Sequence, residues 1–180
     1  LFHGWTGSQS CQFPVSVAPR RADPDRCAVR DASPRKYRAT SLLPINRKGL
    51  KMTFASIIVP AFNVQETLAE TLRSLLAQTY SGYEIIIVDD GSTDASSRIA
   101  SEFSHEPKVR VIRQPNRGLA GARNTGIAAA NGSVIGFCDA DDLWDPEKLA
   151  LHVAHLEANP QVGISFSGSA LINDDGAFTG

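Results

Sequence analysis

Cysteine is scarce in this chain: Cys11, Cys27 and Cys138 are the only three in 180 residues. Their spacing matches neither a metal-binding pair nor a disulfide framework, so the expected setting is reducing and cytoplasmic. Long apolar runs are missing too. No stretch approaches the roughly 20 residues that cross a bilayer, and no n-region followed by an h-region opens the chain. Membrane association is therefore expected only through regions outside this sequence. A strong net charge is also absent, at −1, yet the balance is uneven. Residues 1–50 carry nine Lys/Arg against three Asp/Glu, and the rest nine against sixteen. The acidic part lacks the positive field that holds a nucleic acid. It can hold a polyanion only through a metal ion or local amide dipoles.

What is present suits one ordinary globular domain, with 42% hydrophobic and 21% charged residues. Residues 1–51 form an irregular Pro/Arg-rich segment with no sustained period, expected to be disordered. A basic arm touching RNA or anionic lipid is the functional alternative. The single methionine, Met52, directly precedes the first strong strand. Hence the expectation that the chain starts there and that the upstream segment is an artefact of translation or cloning, with a domain over 52–180.

From Phe54 to Val59 the pattern is a buried strand, ended by Pro60. Asn63-Val-Gln-Glu66 has the spacing of a capping box, and Leu68, Leu72, Leu75 and Leu76 mark one helical face running to about Gln78. Glu84 to Val88 is a second buried strand. Ser92 or Thr93 can cap a helix that buries Ile99 and Phe103. Val109 to Ile112 alternates and reads as a strand nearer an edge. A glycine-bearing loop over 116–126 then leads into an alanine-rich helix ending near Asn131-Gly132. Val134 to Cys138 is a further buried strand, Pro146 to about Ala158 a helix burying Leu149, Val153 and Leu156, and Val162 to Phe166 the start of another strand. This alternation predicts an α/β fold: a mostly parallel sheet with helices on both faces.

Two strand ends carry carboxylates, Asp89/Asp90 and Asp139/Asp141, and α/β sheets place ligand crevices at the C-terminal ends of their strands. Asp139 and Asp141 lie two apart, so on extended backbone they point the same way. Two like charges so placed repel unless a cation intervenes, and hard oxygens suit Mg²⁺ or Mn²⁺. The bland alternative is a solvated acidic loop capping the next helix through Asp145-Pro146-Glu147. Arg117, Arg123 and backbone amides near a helix N-terminus suit an anion. His105, His152 and His155 form no metal-ligand pattern, and Trp144 reads as a packing anchor or, alternatively, a stacking platform.

Five blocks occur in one order: Ser56-Ile-Ile-Val-Pro-Ala-Phe-Asn63, Thr71-Leu-Arg-Ser-Leu-Leu-Ala-Gln-Thr-Tyr80, Glu84-Ile-Ile-Ile-Val-Asp-Asp-Gly-Ser-Thr-Asp94, Asn116-Arg-Gly-Leu-Ala-Gly-Ala-Arg-Asn-Thr-Gly126 and Phe137-Cys-Asp-Ala-Asp-Asp142. Together they resemble family 2 glycosyltransferases. The resemblance implies a GT-A (Rossmann-like) fold and metal-dependent transfer from a nucleotide-sugar, usually a UDP-sugar, to an acceptor hydroxyl with inversion. It also implies a place in cell-wall or polysaccharide biosynthesis. By matching position, Pro60, Ala61, Phe62 and Asn63 would line the nucleotide site, and Asp90 would hydrogen-bond the base. Asp139 would approach the ribose and sugar, and Ala140 beside it belongs to the same donor-binding set. Asp141 would ligate Mn²⁺ or Mg²⁺ at the diphosphate, with Arg123 near the phosphates. The acceptor, whether saccharide, lipid-linked or protein, stays open. The family's catalytic base is acidic and is expected beyond Gly180; Asp174 and Asp175 fall in what looks like a turn and are not assigned. The expectation is thus a C-terminally truncated donor-binding half.

Three rivals stand beside it. A receiver domain shares paired acids after a strand but needs a strand-end lysine that has no place here. A haloacid-dehalogenase-type phosphatase needs Asp-x-Asp-x-Thr, and Asp139-Ala-Asp141-Asp-Leu143 lacks the threonine. An inert nucleotide-sugar-binding module or unfoldable fragment is the non-enzymatic reading.

Overall fold

A computed structural model describes residues 53–173 and 179. The expectations for residues 1–51, and those on Asp174 and Asp175, lie outside the described residues. Among the described residues nine elements follow one another: β1 (Ala55–Ala61), α1 (Leu68–Leu76), β2 (Tyr83–Asp89), α2 (Ser96–Glu102), a 3₁₀ turn (Phe103–His105), β3 (Val109–Arg113), α3 (Gly118–Ala129), β4 (Val134–Phe137) and α4 (Lys148–Ala158). The strands form a sheet of order β3-β2-β1-β4, and every pair is parallel.

Alternation along the strands sorts the core into two layers. Ile57, Val59, Ile85 and Ile87 face one side, where Leu68, Leu72 and Leu75 of α1, Ala100 of α2, and Leu149 and Val153 of α4 cover them. Ile58, Ile86 and Val88 face the other side, against Ala122 and Ala129 of α3. Helices therefore pack on both faces, as the alternating pattern predicts. Because β1 and β2 are covered twice, they read as unbroken apolar runs. The chain runs outward from β1 to β3, then returns to place β4 on the other side of β1. That reversal is a topological switch point.

Several local expectations need correction. Pro60 does not end the first strand but lies within it. The Ala61 carbonyl accepts from the Asp90 N–H toward β2, and the Ile58 carbonyl accepts from the Cys138 N–H toward β4. Pro60 shares the parity of Ile58, so its missing N–H faces the side where pairing with β4 has already ended at Phe137. The capping box is not formed: α1 starts at Leu68 after Thr67, with no side-chain cap, and ends at Leu76. Neither Ser92 nor Thr93 caps α2; the Asp94 carboxylate accepts from the Ser96 N–H at 2.9 Å instead. Most of the expected 116–126 loop is already helix, which also ends earlier than expected, at Ala129. β4 is half-buried, with Phe137 45% exposed, because it forms an edge of the described sheet. Residues 162–166 join no ladder, and Ile164 and Phe166 are 80% and 89% exposed. α4 starts at Lys148, and Leu156 is only half-buried.

Candidate functional site

The C-terminal ends of β1, β2 and β4 meet the start of α3 around an open cleft of about 350 Å³. Pro60, Ala61 and Phe62 form its floor, Asp90 closes the β2 side, and Asp139, Ala140 and Asp141 the β4 side. Val64, Asn116, Gly118, Leu119 and Ala122 complete the lining. Phe62 and Leu119 are 47% and 54% exposed, two apolar faces at a polar cleft.

Asp89 and Asp90 are both buried but do different work. Asp89 accepts from the Ser92 N–H at 3.0 Å and from the Ser97 hydroxyl, and its other neighbour is Arg113 Nε at 3.6 Å. Burial alone would raise its pKa, but the Ser97 and Ser92 hydrogen bonds and the Arg113 charge outweigh burial and hold it below the usual carboxylate range. Asp90 Oδ1 accepts from Gln114 Nε2 at 2.6 Å and from the Arg117 N–H at 2.9 Å. Gly91 makes this turn feasible: its φ is +80°, and a Cβ there would meet Asn116 N at 2.9 Å.

Asp139 and Asp141 do not lie on extended backbone, as the two-residue spacing suggested. The Asp142 N–H bonds the Asp139 carbonyl at 3.1 Å, so the segment is a turn, and the turn still brings both residues to the cleft. Two threonines anchor it, Thr67 just before α1 and Thr71 within it: their hydroxyls donate to the Ala140 carbonyl at 2.8 and 2.9 Å. Arg123 Nη2 pairs with Asp139 Oδ1 at 2.6 Å, and its guanidinium lies 5.7 Å from the Phe137 ring. Asp142 is raised by burial and then by the Asp141 and Asp139 charges, with Lys148 opposing. Burial and then the Asp142 and Asp139 charges push the Cys138 thiol up to about 12, so it stays protonated and inert.

The donor set fits a hard cation. No group of three or more His, Cys, Asp or Glu gathers among the described residues. Mg²⁺ or Mn²⁺ needs no such cage, because it keeps several waters and leans on one or two carboxylates plus ligand phosphates. Asp139 and Asp141 at an open cleft supply that minimum.

Of the residues singled out in the sequence, Pro60, Ala61, Phe62, Asp90, Asp139, Ala140 and Asp141 all line the cleft. Asn63 and Arg123 do not. Asn63 adopts φ +53°, and its Oδ1 accepts from the Thr93 N–H at 2.8 Å, which braces the loop after β1 against the turn after β2. Arg123 reaches the cleft only through Asp139. Val64, Leu119, Ala122 and Asn116 were not picked out individually. Recognising that the helix begins at Gly118 would have exposed Leu119 and Ala122, which lie in its first turns.

A doubly wound sheet with a carboxylate-lined crevice at its switch point defines a nucleotide-binding type of α/β domain. The chain belongs to glycosyl transferase family 2, whose family model matches residues 56–174. It is 42% identical over 111 residues to the glycosyltransferase alr2836 of Nostoc sp., covering 61% of this chain and 34% of that one. It is 32% identical over 120 residues to WfgD of Escherichia coli, a UDP-Glc:alpha-D-GlcNAc-diphosphoundecaprenol beta-1,3-glucosyltransferase, covering 67% and 47%. Among solved structures, TarS of S. aureus in complex with UDP-GlcNAc superposes with a TM-score of 0.57 at 29% identity, over 59% of this chain and 32% of that one. The mannosyltransferase PcManGT of Pyrobaculum calidifontis, in complex with GDP-Man and Mn²⁺, gives 0.58 at 30% identity over 62% and 34%. This chain thus spans less than half the length of these proteins. Family membership sets aside the receiver and phosphatase alternatives. No helix among the described residues is long and apolar enough to cross a membrane.

Proposed function

We propose that this domain binds the nucleotide-sugar donor of a glycosyltransferase and presents its sugar to an acceptor hydroxyl. The convergence of Asp90, Asp139 and Asp141 on one switch-point cleft carries the reading. A UDP-sugar is the proposed donor, supported by the UDP-GlcNAc complex of TarS and the UDP-Glc in the name of WfgD. Asp90 accepts from the base, Pro60 to Phe62 underlie the nucleoside, and Asp139 and Ala140 border the ribose and sugar. Asn63 keeps the first of these loops in place.

Asp141, with Asp139 beside it, is the proposed holder of Mn²⁺ or Mg²⁺, supported by the hard donor set and by the Mn²⁺ in the PcManGT complex. That ion supplies Lewis-acid stabilisation of the departing nucleoside diphosphate. Arg123 shares the Asp139 charge from behind and adds positive potential toward the phosphates. Transfer itself is a single in-line displacement at the anomeric carbon with inversion, after a carboxylate removes the acceptor proton. The acceptor is proposed to be a saccharide or a lipid-linked or protein glycan precursor of cell-wall or polysaccharide synthesis, the lipid-linked kind supported by the name of WfgD.

Calorimetric titration of the chain with UDP, with and without Mn²⁺, tests the reading. Affinity should fall about tenfold or more without the ion, and Asp141→Asn should lose a similar factor in its presence. Binding unaffected by either change overturns the metal role; no binding at all overturns the donor site.

A further inference from the structure

We infer that Glu84 and Ser56, at the end of the sheet away from the cleft, are positioning residues for the metal-holding turn. They clamp the connection between α3 and β4, and through β4 they fix where Asp139 and Asp141 stand. The inference rests on the donor-binding reading above and names what its metal site depends on.

Glu84 is a charge with no part in the cleft. It is the second residue of β2, followed by four apolar ones, and its side chain is only 13% exposed. Ser56 stands opposite it in the β1–β2 register and is fully buried. The Ser56 hydroxyl donates to Glu84 Oε1 at 2.7 Å. A carboxylate only accepts, so the one hydroxyl proton is committed to it and the Ser56 Oγ lone pairs are left to accept. They take the Gly132 N–H at 2.8 Å. Glu84 holds the preceding residue: the Asn131 N–H reaches Oε1 at 2.8 Å, and the Asn131 amide reaches Oε2 at 3.2 Å. Arg110 of β3 lies 3.7 Å from Oε2 and donates to the Ala129 carbonyl at the end of α3. Gly132 seats so closely on β1 that a Cβ there would meet Ser56 N at 2.6 Å. Two successive backbone N–H groups are thus caught just before β4 starts at Val134.

β4 depends on this clamp because its own side chains select no register. It has four residues, none of them fully buried, and among the described residues it pairs with β1 alone. Val134 meets one apolar layer and Ile135 the other, so hydrophobicity does not distinguish the two faces. Gly136 has no side chain to place, and Phe137 is half exposed. A slip of one residue along β1 moves the turn at 139–142 by about 3.3 Å and sends each side chain to the other face. A bond from oxygen to Mg²⁺ is about 2.1 Å long, so a fraction of that slip already takes a carboxylate out of reach. Thr67 and Thr71 hold the turn itself through the Ala140 carbonyl. Glu84 and Ser56 hold the strand that delivers it.

The experiment measures the Mn²⁺ concentration at which UDP binding to the 180-residue chain is half-maximal. A general loss of stability lowers the amount of UDP bound but leaves that midpoint in place. Ser56→Ala and Glu84→Ala should raise it about tenfold, the scale of a displaced ligand-orienting group. Glu84→Gln keeps an oxygen for the Ser56 hydroxyl and the Asn131 N–H, and should return the midpoint to within about twofold of the unaltered chain. If the alanine variants do not fold, Asn131→Ala serves: it removes only the 3.2 Å bond to Glu84 Oε2 and should raise the midpoint about twofold. Ala100→Gly, at a buried position of α2, is the control that lowers stability and should leave the midpoint unmoved. Unchanged midpoints in the Ser56 and Glu84 variants, or an equal shift in the Ala100 control, overturn the inference while leaving the donor site standing. An unaltered chain that binds no UDP, or binds it equally without Mn²⁺, overturns the metal-dependent donor reading and the inference with it.

Discussion

Two adjacent carboxylates at the end of β2 show how one residue step divides structure from recognition. Asp89 turns into a cage of Ser92, Ser97 and Arg113, while Asp90 turns to the cleft. The cage makes Asp89 a stabilising group. Its folded pKa is depressed, so its contribution is complete above the unfolded value and is lost as pH falls through the folded one. Asp89→Asn should cost about 2 kcal/mol at pH 7, since hydrogen bonds to a charged group in a buried place are lost. Urea melts at pH 7 and below pH 4 should show that deficit shrinking with acidity. A deficit independent of pH would mean that packing, not charge, holds the turn.

At the scale of elements, the loops that build the cleft are pinned by side chains far away in sequence. Thr67 and Thr71 hold the Ala140 carbonyl across about 70 residues, and Gln78, just past the end of α1, donates to the Asp145 carbonyl and accepts from the Leu149 N–H at the start of α4. The variant with Thr67→Val and Thr71→Val leaves a buried carbonyl unpaired. It should lose about 1–3 kcal/mol of stability and weaken Mn²⁺-dependent UDP binding more than it weakens binding without the ion. Denaturation and calorimetry on the same variant check both. Loss of stability with unchanged metal dependence would detach the anchor from the site. This kind of pinning also explains which expectations held. The leucines of α1 and the apolar runs of β1 and β2 depend on burial periodicity, which the chain carries locally. Caps do not: Asn63 turned to Thr93 rather than to its own helix, and α4 donates its Leu149 N–H to Gln78 Oε1. The acidic strand ends were legible because strand ends in a parallel sheet must meet at a switch point. That Arg123 pairs with Asp139, and that Gln114 donates to Asp90, depends on distances no spacing records.

At the scale of the molecule, residues 55–153 supply both hydrophobic layers, one on each face of the sheet. The same span holds every residue lining the cleft. Residues 1–50, in contrast, hold half of the ten prolines and an excess of six positive charges, without a helical or strand period. We therefore expect residues 52–180 to carry the fold. A protein beginning at Met52 should unfold cooperatively within about 0.5 kcal/mol of the full chain, the range of surface changes that touch nothing. The denaturant slope gives a second reading, because it scales with the surface exposed on unfolding and should be unchanged if the removed residues bury none. UDP affinity with Mn²⁺ should match as well. A drop of several kcal/mol together with a shallower slope would show the first 51 residues to be packed against the domain, and would make them part of it.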